Sequence, residues 1–361
     1  MQAATEYLPI NKVERDIHMT SGIRLEQQLA VWAQRDGVHQ DLAFIICVIA
    51  RTGARLAQLI SRQGKAEQPE ATGLGKPDGE KPKPLETLSQ TLFEEALGKL
   101  PIAFLASEKT TDLLQIDPTA NLGVAIDPLD GSSNIETNTS IGTIFSVFAA
   151  SADNLFENNL GDILQASGFL FYGPQTRLVL TCGDGTYSFL FDPDDEKFYQ
   201  VGDALKVPAG QREFAINTSN YRFWEGSVRH FIDDCVAGEN GPLGEDFNMR
   251  WNASLVAEAY RILVRGGVFL YPGDSRPNYG SGRLRLLYEA LPLAFIIEQA
   301  GGMASDGVER LLDMKLASLH KRVPLIFGSK DRVQEVIDYI SGDAVESTRF
   351  PLFENRSLLR N

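Results

Sequence analysis

LGVAIDPLDGSSN, residues 122–134, brings a strand pattern, two acids and a run of small residues together within a few positions. The apolar residues before Asp127 are typical of a buried strand, and we expect Pro128 to turn the chain after them. That turn would let Asp127, Asp130 and the Leu129 carbonyl face one point. Oxygen ligands around one point favour Mg²⁺ or Mn²⁺, and the stretch has no His or Cys that would indicate zinc or copper.

Gly131, Ser132 and Ser133 follow the second acid without a bulky side chain among them. Consecutive backbone N–H groups in such a segment form a nest that receives a phosphate oxygen. A metal and a phosphate would therefore lie side by side. The alternative interpretation is an ordinary acidic turn between two strands, but the length of the complete run from Asp127 to Ile135 argues against it.

Apolar runs bounded by turn residues predict strands on both sides of this motif. They lie at Ile102–Ala106, Val124–Ile126, Ile144–Ala149, Ile163–Phe171, Leu178–Leu180, Glu213–Ile216, Val268–Tyr271 and Val323–Phe327. Apolar residues at helical spacing predict helices as well. Two lie between Arg24 and Arg62, one restarts at Leu85–Leu88, and three follow near Ser254–Val264, Leu284–Gln299 and Val333–Ile340. The fold class is therefore mixed α/β.

The chain of 361 residues is long enough for two domains of ordinary size. We place their boundary near Pro208, which gives an N-terminal domain of residues 1–208 and a C-terminal domain of residues 209–361. Residues 63–84 are dense in Gly, Pro and charged side chains and lack periodic apolar residues. They are predicted to form a mobile loop.

The formal charge of −14 disfavours nucleic acid and anionic lipid as partners, because both are bound chiefly by Lys and Arg. A phosphorylated ligand would have to be met by local positive charge or by metal. Cys47, Cys182 and Cys235 are too few and too scattered for a disulfide framework or a structural zinc site, which favours a reducing cytoplasm. We find no signal-peptide pattern and no apolar stretch long enough to span a bilayer, so we expect no membrane association.

Two more acidic residues are candidates for the same site. Glu108 follows an apolar run as Asp127 does, and neighbouring parallel strands would bring both acids to one edge of a sheet. Arg285 and Glu289 are four residues apart, so they share one face if their segment is helical. The plain alternatives are a solvated strand end for Glu108 and a simple salt bridge for the pair.

Together these residues resemble class I fructose-1,6-bisphosphatase, within the inositol-monophosphatase-like phosphatase superfamily. The resemblance runs from about residue 85 to residue 331 and is carried by AIDPLDGSSNIETNTSIGTIF (125–145), GGVFLYPGD (266–274), GRLRLLYEALPLAF (282–295) and EQAGGMASDG (298–307). DPLDGSS alone indicates the superfamily, whereas GGVFLYP followed by GRLRLLYE is similar to the bisphosphatase branch. The resemblance implies a layered α-β-α-β-α sandwich of two sheet-and-helix domains, with the active site between them.

The resemblance also assigns roles to individual residues. Matched position by position, the metal ligands are Glu108, Asp127, the Leu129 carbonyl, Asp130 and Glu289. The 1-phosphate of the sugar is assigned to Gly131, Ser132, Ser133 and Arg285, and the 6-phosphate to Asn217, Arg250, Tyr271 and Arg283. Because Arg250 in the family reaches into the site of a neighbouring subunit, the resemblance implies a homo-oligomer, expected to be a tetramer.

Two positions near the metal site depart from the family's pattern. Where the family usually has paired glutamates, this chain has Glu108 and Lys109, and where it has an aspartate, this chain has Glu86. Those positions normally activate the attacking water or hold a further ion, so Glu86 and Lys109 belong to the catalytic set as altered members. A protonated lysine repels Mg²⁺, so we expect Lys109 to lower metal affinity, although it could instead neutralise a phosphate.

Further departures lie in the regions that the family uses for substrate choice and regulation. Asn220 and Trp251 stand where tyrosines are usual in the 6-phosphate pocket, and Arg283 replaces a lysine, changes that could broaden substrate choice. The family's AMP-binding positions fall on Asn121, Leu122 and Ala149. None of these three side chains binds a phosphate by charge, so we expect little inhibition by AMP.

The implied reaction is metal-dependent hydrolysis of fructose 1,6-bisphosphate to fructose 6-phosphate and phosphate, in gluconeogenesis or the Calvin cycle. Sedoheptulose 1,7-bisphosphate is a second candidate substrate. An inositol-monophosphatase-like activity is the alternative within the superfamily, disfavoured because the chain offers more phosphate-binding groups than one phosphate needs. A non-catalytic sugar-phosphate sensor is suggested by Lys109 and Glu86, but a sensor would have little reason to keep four acids around a metal site.

Overall fold

The computed structural model describes residues 22–34, 37–62, 83–152 and 154–342. Within these ranges the larger sheet has eight strands in the order β2-β1-β3-β4-β5-β6-β7-β8. The strands are β1 Phe104–Ser107, β2 Leu114–Gln115, β3 Gly123–Asp130, β4 Ile141–Phe148, β5 Leu164–Tyr172, β6 Thr176–Thr181, β7 Thr186–Asp192 and β8 Lys197–Gln200. The β1–β3 pair is parallel and the other neighbours are antiparallel.

A smaller sheet follows in the C-terminal part of the described chain, in the order β10-β9-β11-β15-β13. A separate ribbon pairs β12 with β14. These strands are β9 Glu213–Ala215, β10 Asn248–Met249, β11 Val268–Tyr271, β12 Leu284–Arg285, β13 Met303–Ser305, β14 Arg322–Val323 and β15 Leu325–Gly328. The strands of the larger sheet therefore all precede residues 201–212, and those of the smaller sheet all follow them. A domain boundary near Pro208 stays our proposal.

Helices cover both sheets and fill the space between them. They are α1 Leu25–Ala33, α2 Gly37–Ser61, α3 Pro84–Leu97, α4 Leu160–Ile163, α5 Gly226–Ala237, α6 Leu255–Arg265, α7 Leu291–Gln299 and α8 Lys330–Ser341. α1 to α3 pack on the outer face of the larger sheet, α6 and α7 lie between the sheets, and α5 and α8 cover the outer face of the smaller sheet. The expected α-β-α-β-α sandwich is confirmed.

Both faces of the larger sheet are buried, as its continuous apolar strands require. On β3, Val124 and Ile126 point into the cluster beneath α1 to α3, whereas Ala125 points into the cluster shared with α6 and α7. Burial of this kind stabilises a fold by roughly 25 cal/mol for each Å² of apolar surface removed from water. The end of β3 is therefore held rigidly at the level where the acidic residues begin.

Most of the predicted helices and strands are present, and the exceptions have physical causes. The segment Leu284–Gln299 was expected to be one helix, but it begins as strand β12, passes through a π-helical turn at Leu286–Ala290 and becomes α-helical only at Leu291. The predicted strand Val323–Phe327 is divided at Pro324, which has no N–H to donate to a ladder. Strands β2, β7, β8, β10 and β13 and helices α4 and α5 were not predicted.

The predicted mobile loop 63–84 lies mostly outside the described residues, which resume at Lys83. Pro84 is the first residue of α3, a position where its missing N–H costs nothing. Glu86 closes the start of this helix, because its Oε2 accepts a hydrogen bond from the Lys83 backbone N–H at 2.8 Å. The same carboxylate is buried and faces the site described below.

Helix α2 is long and apolar enough, by length and composition, to cross a membrane, which the sequence analysis did not expect of any segment. Half of its most apolar stretch is buried in the protein. Ile46, Ile49 and Leu56 of this helix have no exposed surface and belong to the core cluster over the larger sheet. Packing against the sheet accounts for the apolar character of α2.

Candidate active site

The parallel pairing of β1 with β3 brings two predicted acids to one edge of the larger sheet. Ser107 pairs with Ile126, and the backbone N–H of Glu108 donates to the Ile126 carbonyl at 3.0 Å. Glu108 therefore emerges next to Asp127, as the strand pattern predicted. The carboxyl ends of adjacent parallel strands are a common location for ligand sites.

The expected turn at Pro128 is wrong, because β3 continues through it to Asp130. The ladder to β4 instead shifts register between Asp127 and Asp130, which is how a strand accommodates a residue without an N–H. The Pro128 carbonyl accepts a hydrogen bond from Thr143 Oγ1 at 2.9 Å. This irregularity, rather than a chain reversal, sets the two aspartates on one side of the strand.

Asp127, Asp130 and Glu289 form a compact acidic group, called the triad below. One carboxylate oxygen from each lies within 4.8 Å of the others. Glu289 comes from the π-helical turn, and its Oε2 accepts a hydrogen bond from the Arg285 backbone N–H at 2.6 Å. Asp130 Oδ2 accepts a longer bond from Val256 N–H at 3.4 Å. Two β3 residues and one residue from far along the chain thus converge.

The triad carries negative charge that the protein itself compensates poorly. Burial, and then the charge of Asp127, raises the pKa of Asp130 to about 7. Loss of solvent likewise raises the pKa of Glu289 well above its usual range, with the two aspartates adding to the effect, and burial raises the pKa of Asp127. Among the described residues no Lys or Arg forms an ion pair with Asp130 or Glu289. An all-carboxylate group of this kind fits Mg²⁺ or Mn²⁺.

The Lys109 ammonium lies among the other acids of the site. Its Nζ is 2.5 Å from Glu108 Oε2, 3.2 Å from Asp127 Oδ1 and 4.0 Å from Glu86 Oε1. Burial alone would lower the pKa of Lys109, but the Asp127, Glu108 and Glu86 carboxylates together raise it above its ordinary value. The three carboxylates therefore favour the charged form of Lys109.

Arg285 reaches the same group from the opposite side. Its Nε lies 2.7 Å from Glu108 Oε1, so both oxygens of Glu108 contact cations. The alternative of a simple salt bridge on one helical face does not apply, because Arg285 lies in β12 and its backbone N–H donates to Glu289. The assignment of Glu108 as a metal ligand stays a prediction.

His320 belongs to the site although no sequence pattern indicated it. Its Nδ1 lies 2.7 Å from Arg285 Nη1, and its Nε2 lies 2.8 Å from the Thr110 carbonyl. A guanidinium can only donate and a carbonyl can only accept, so Nδ1 accepts and Nε2 carries the proton. Neutral His320 therefore connects Arg285 to the loop after Lys109. A lone His without a motif gives no signal in one sequence.

The turn after Asp130 has the backbone that a nest requires. Gly131 has φ of 75°, in the left-handed region, and Ser132–Asn134 form a 3₁₀ turn. The Asn134 Nδ2 group donates to the carbonyls of Ser140 and Ala253 at 3.1 and 3.0 Å. These bonds fix the turn against the loop that precedes α6. The predicted residues Gly131, Ser132 and Ser133 thus lie directly beside the triad in the chain.

The residues assigned to a second phosphate fall into two groups. Asn217, Asn220 and Tyr271 line one small, open pocket, together with Ile216, Trp224, Leu270 and Pro272. Arg250 and Arg283 are exposed and do not line it. The Arg283 guanidinium lies over the Tyr279 ring, and Arg250 lies 3.6 Å from Glu213. The structure therefore brings two of the four residues together.

Trp251 and the residues at the AMP-binding positions have plain structural environments. The Trp251 ring stacks on Phe269 with centroids 5.9 Å apart. Leu122 is buried, whereas Asn121 and Ala149 are exposed. Asn121 and Leu122 directly precede β3 and Ala149 directly follows β4, so all three positions lie at the end of these strands away from the acids.

Family models match nearly all of the described chain. Residues 23–203 match the fructose-1-6-bisphosphatase N-terminal domain, and residues 207–341 match the fructose-1-6-bisphosphatase C-terminal domain. A fructose-1,6-bisphosphatase class 1 of Rhodopseudomonas palustris strain BisB18 is 47% identical over 343 residues, covering 95% of this chain and 100% of the relative. A protein of the same name from Azorhizobium caulinodans is 44% identical over 331 residues, covering 88% and 99%.

Solved structures resemble the fold over the same extent. The holo form of Leishmania major fructose-1,6-bisphosphatase superimposes with a TM-score of 0.81 at 28% identity, covering 89% of this chain and 100% of that one. A T-state structure of the Leishmania major protein gives a TM-score of 0.78 at 28% identity, covering 89% and 99%. Sequence and fold thus agree on one family.

Proposed function

The chain belongs to the class 1 fructose-1,6-bisphosphatase family, and from this we propose that it hydrolyses the 1-phosphate of fructose 1,6-bisphosphate in a reaction that requires Mg²⁺ or Mn²⁺. The products are fructose 6-phosphate and phosphate. The observation that carries the proposal is the triad of Asp127, Asp130 and Glu289 beside the left-handed turn at Gly131. Hydrolysis of a phosphate ester needs a cation site next to a phosphate-binding turn, and here the turn follows Asp130 directly in the chain.

Asp127, Asp130 and Glu289 would hold the cation, with the Leu129 carbonyl and Glu108 as further ligands expected from the resemblance. A metal bound there would supply Lewis acidity toward a phosphoryl oxygen and toward water. The triad's raised pKa values support this assignment, because a cation would relieve the cost of three neighbouring buried acids. A histidine-free ligand set supports Mg²⁺ or Mn²⁺ over zinc.

The chain's own residues would bind and orient the transferred phosphoryl group. Backbone N–H groups of Gly131, Ser132 and Ser133 would bind its oxygens, and Arg285 would place a positive charge beside them. Arg285 is 5% exposed and is fixed through Glu108 and His320, so its guanidinium changes position little when substrate arrives. Phosphoryl transfer depends mainly on such positioning and charge compensation.

The distal phosphate would be held in the pocket of Asn217 and Tyr271. Asn217 Oδ1 accepts hydrogen bonds from the Ser219 backbone N–H at 3.2 Å and the Ser219 hydroxyl at 2.6 Å. This arrangement fixes the amide so that its Nδ2 group faces away as a donor. Arg283 would add charge from the rim of the site, and Arg250 would do so for a neighbouring subunit.

The experiment is phosphate release from fructose 1,6-bisphosphate by the purified chain, titrated with Mg²⁺ and then Mn²⁺. Fructose 6-phosphate and inositol 1-phosphate serve as substrate controls, and excess EDTA as the metal control. Metal-dependent release from the bisphosphate alone is expected. Release from inositol 1-phosphate at a comparable rate would favour the inositol-monophosphatase-like alternative, and tight bisphosphate binding without release under any metal would favour a sensor.

A pair of variants shows whether the proposed acids carry the reaction. Asp130→Asn should abolish metal-dependent release, because a neutral amide cannot replace a carboxylate ligand of a hard cation. Glu157→Gln changes an exposed acid outside the site and should leave release unchanged. Equal activity of both variants would remove the triad from the mechanism.

Substrate range and regulation extend the proposal. We expect hydrolysis of sedoheptulose 1,7-bisphosphate as well, because Asn220 and Trp251 leave a pocket without the family's usual tyrosines. We expect AMP to inhibit weakly, because Asn121, Leu122 and Ala149 offer no positive charge to its phosphate. Assays with the seven-carbon bisphosphate, and with AMP at micromolar concentration, test the two expectations; strong AMP inhibition would contradict the second.

The proposed setting is a homo-oligomer, expected to be a tetramer, in the cytoplasm. No disulfide joins Cys47, Cys182 and Cys235 in the described part of the chain, which suits a reducing compartment. Val31 and Phe44, on α1 and α2, are more than half exposed and offer apolar surface to a second copy. Light scattering at several protein concentrations measures the assembly state, and a concentration-independent monomer would contradict the oligomer.

A further inference from the structure

Three carboxylates from three separate elements surround the ammonium of Lys109. Glu86 comes from the first turn of α3, Glu108 from the residue after β1, and Asp127 from β3. All three lie within 4.0 Å of Nζ. Convergence of oxygen ligands from distant parts of a chain on one positive centre is the arrangement by which proteins bind a metal ion. Here a side chain of the protein occupies the centre.

The site divides into two parts with different charge balance. Glu108 contacts two cations, Lys109 at 2.5 Å and Arg285 at 2.7 Å. Among the described residues Asp130 and Glu289 have no cationic side chain within ion-pair distance, and Asp127 shares Lys109 with Glu108. Cationic side chains therefore compensate Glu108 and Asp127, whereas Asp130 and Glu289 have no such compensation among the described residues.

A divalent ion between Glu86 and Glu108 would have to displace the Lys109 ammonium, which occupies that position. The Lys109 side chain is 14% exposed, so its burial opposes displacement. A displaced ammonium would also lose its contacts with the three carboxylates. A divalent ion at this position would also lie within a few Å of the ammonium and be repelled by it. The Glu86–Glu108 side is thus closed to a second metal ion while Lys109 is present.

We propose that Lys109 serves as a built-in second cation, so that the free chain binds one divalent ion per active site, at the triad of Asp127, Asp130 and Glu289. This inference rests on the proposed function in one respect, that a divalent ion binds the triad. Lys109 then acts as a positioning residue: it holds Glu108 and Asp127 together and neutralises them before substrate arrives. Its ammonium does the electrostatic work of a metal without depending on metal concentration.

The test is the number of Mn²⁺ ions bound per chain in the absence of substrate, measured by calorimetric titration and by the paramagnetic resonance spectrum of the bound ions. The wild-type protein should bind one ion per chain, with the spectrum of an isolated Mn²⁺. Lys109→Met keeps the approximate length of the side chain and removes its charge, so Glu86, Glu108 and Asp127 lose their contact with the ammonium. That variant should bind two ions per chain, with spectral coupling between neighbouring Mn²⁺ ions.

Lys197→Met is the matched control. Lys197 lies on β8, at the edge of the sheet away from β1, and pairs with Glu26 at 3.5 Å. The Lys197→Met variant should bind one Mn²⁺ ion per chain, as the wild-type protein should. Lys109→Arg keeps the positive charge but changes the shape of the side chain, and this variant should also bind one ion. If Lys109 had only a packing role, retention of the charge would not be expected to preserve the binding of one ion.

Two coupled ions in the wild-type protein would overturn this inference but not the proposed function. This measurement does not depend on the folding of any variant. One ion in a Lys109→Met variant with wild-type circular dichroism would also overturn it. No Mn²⁺ bound by the wild type would overturn the metal dependence in the proposed function and the inference with it. The two failures are therefore distinguishable.

Discussion

Arg285 and Glu289 contact each other through the backbone of one and the carboxylate of the other: the Arg285 N–H donates to Glu289 Oε2 at 2.6 Å. The Arg285 guanidinium extends instead to Glu108 at 2.7 Å. A π-helical turn begins directly after Arg285, and such turns are frequent at functional sites. One five-residue segment thereby positions an acid for the metal and a cation for the phosphate.

Glu289→Gln tests the metal half of this segment. The amide oxygen can still accept from the Arg285 N–H, but the third negative charge of the triad is lost. We expect the affinity for Mn²⁺ to fall by at least about tenfold, since hard cations depend on carboxylate ligands. Glu298→Gln is the control, because Glu298 lies on the following helix and pairs with Arg310. Equal loss in both variants would show a general effect on the helix rather than on the ion.

His320→Ala tests the support of Arg285. The variant removes the acceptor of one guanidinium N–H while leaving the Glu108 contact in place. A hydrogen bond to a charged group contributes roughly 1.5–3 kcal/mol, so we expect KM for the bisphosphate to rise about tenfold or more. Steady-state kinetics at saturating Mg²⁺ should show a smaller change in kcat than in KM. An unchanged KM would mean that Glu108 alone is sufficient to hold Arg285.

Asn217→Asp tests the distal phosphate pocket. Asp keeps the acceptor for Ser219 but loses the Nδ2 donor and adds a negative charge facing a phosphate. We expect KM to rise by more than about tenfold, because an unpaired like charge costs at least as much as a lost hydrogen bond. Asn240→Asp, an exposed change after α5, should have no such effect. If KM is unaffected in the Asn217 variant, the phosphate binds elsewhere.

Glu213→Gln tests a pH-dependent contribution to stability. A hydrogen bond from Arg265, together with the charges of Arg265 and Arg261, lowers the pKa of Glu213 below its ordinary value of 4.5 although burial opposes this. A lowered folded-state pKa stabilises the fold above the unfolded-state value and is lost as pH falls through the folded value. We expect the variant to be less stable than the wild type by about 1–2 kcal/mol at pH 7.

The difference between Glu213→Gln and the wild type should shrink as pH falls below about 4.5, because the wild-type carboxylate then takes up its proton. Urea unfolding at a series of pH values measures it. Glu157→Gln, at an exposed position, is the reference for a change of net charge alone. A difference that stays constant with pH would assign the effect to packing rather than to the charge of Glu213.

Several parts of the fold could be predicted because their signal is local. The apolar runs of β1 and β3 to β6 and the helical periodicity of α1 and α2 depend only on neighbouring residues. Strands β7 and β8 were not predicted, and they are held in the sheet by antiparallel pairing with β6 and with each other. The expected helix at Leu284–Gln299 was wrong at its start, because pairing of β12 with β14 outweighs local propensity there.

The site divides in the same way. Short-range pattern was enough to identify Asp127, Asp130 and the glycine-serine turn, because strand, acids and nest lie within one continuous segment. Tertiary structure decided the other contacts of the site. It brings Glu289 to the two aspartates and places three carboxylates around Lys109. It also connects Arg285 through His320 to Thr110. These contacts join residues up to 210 positions apart, and a long-range contact depends on how sheets and helices pack rather than on the order of neighbouring residues.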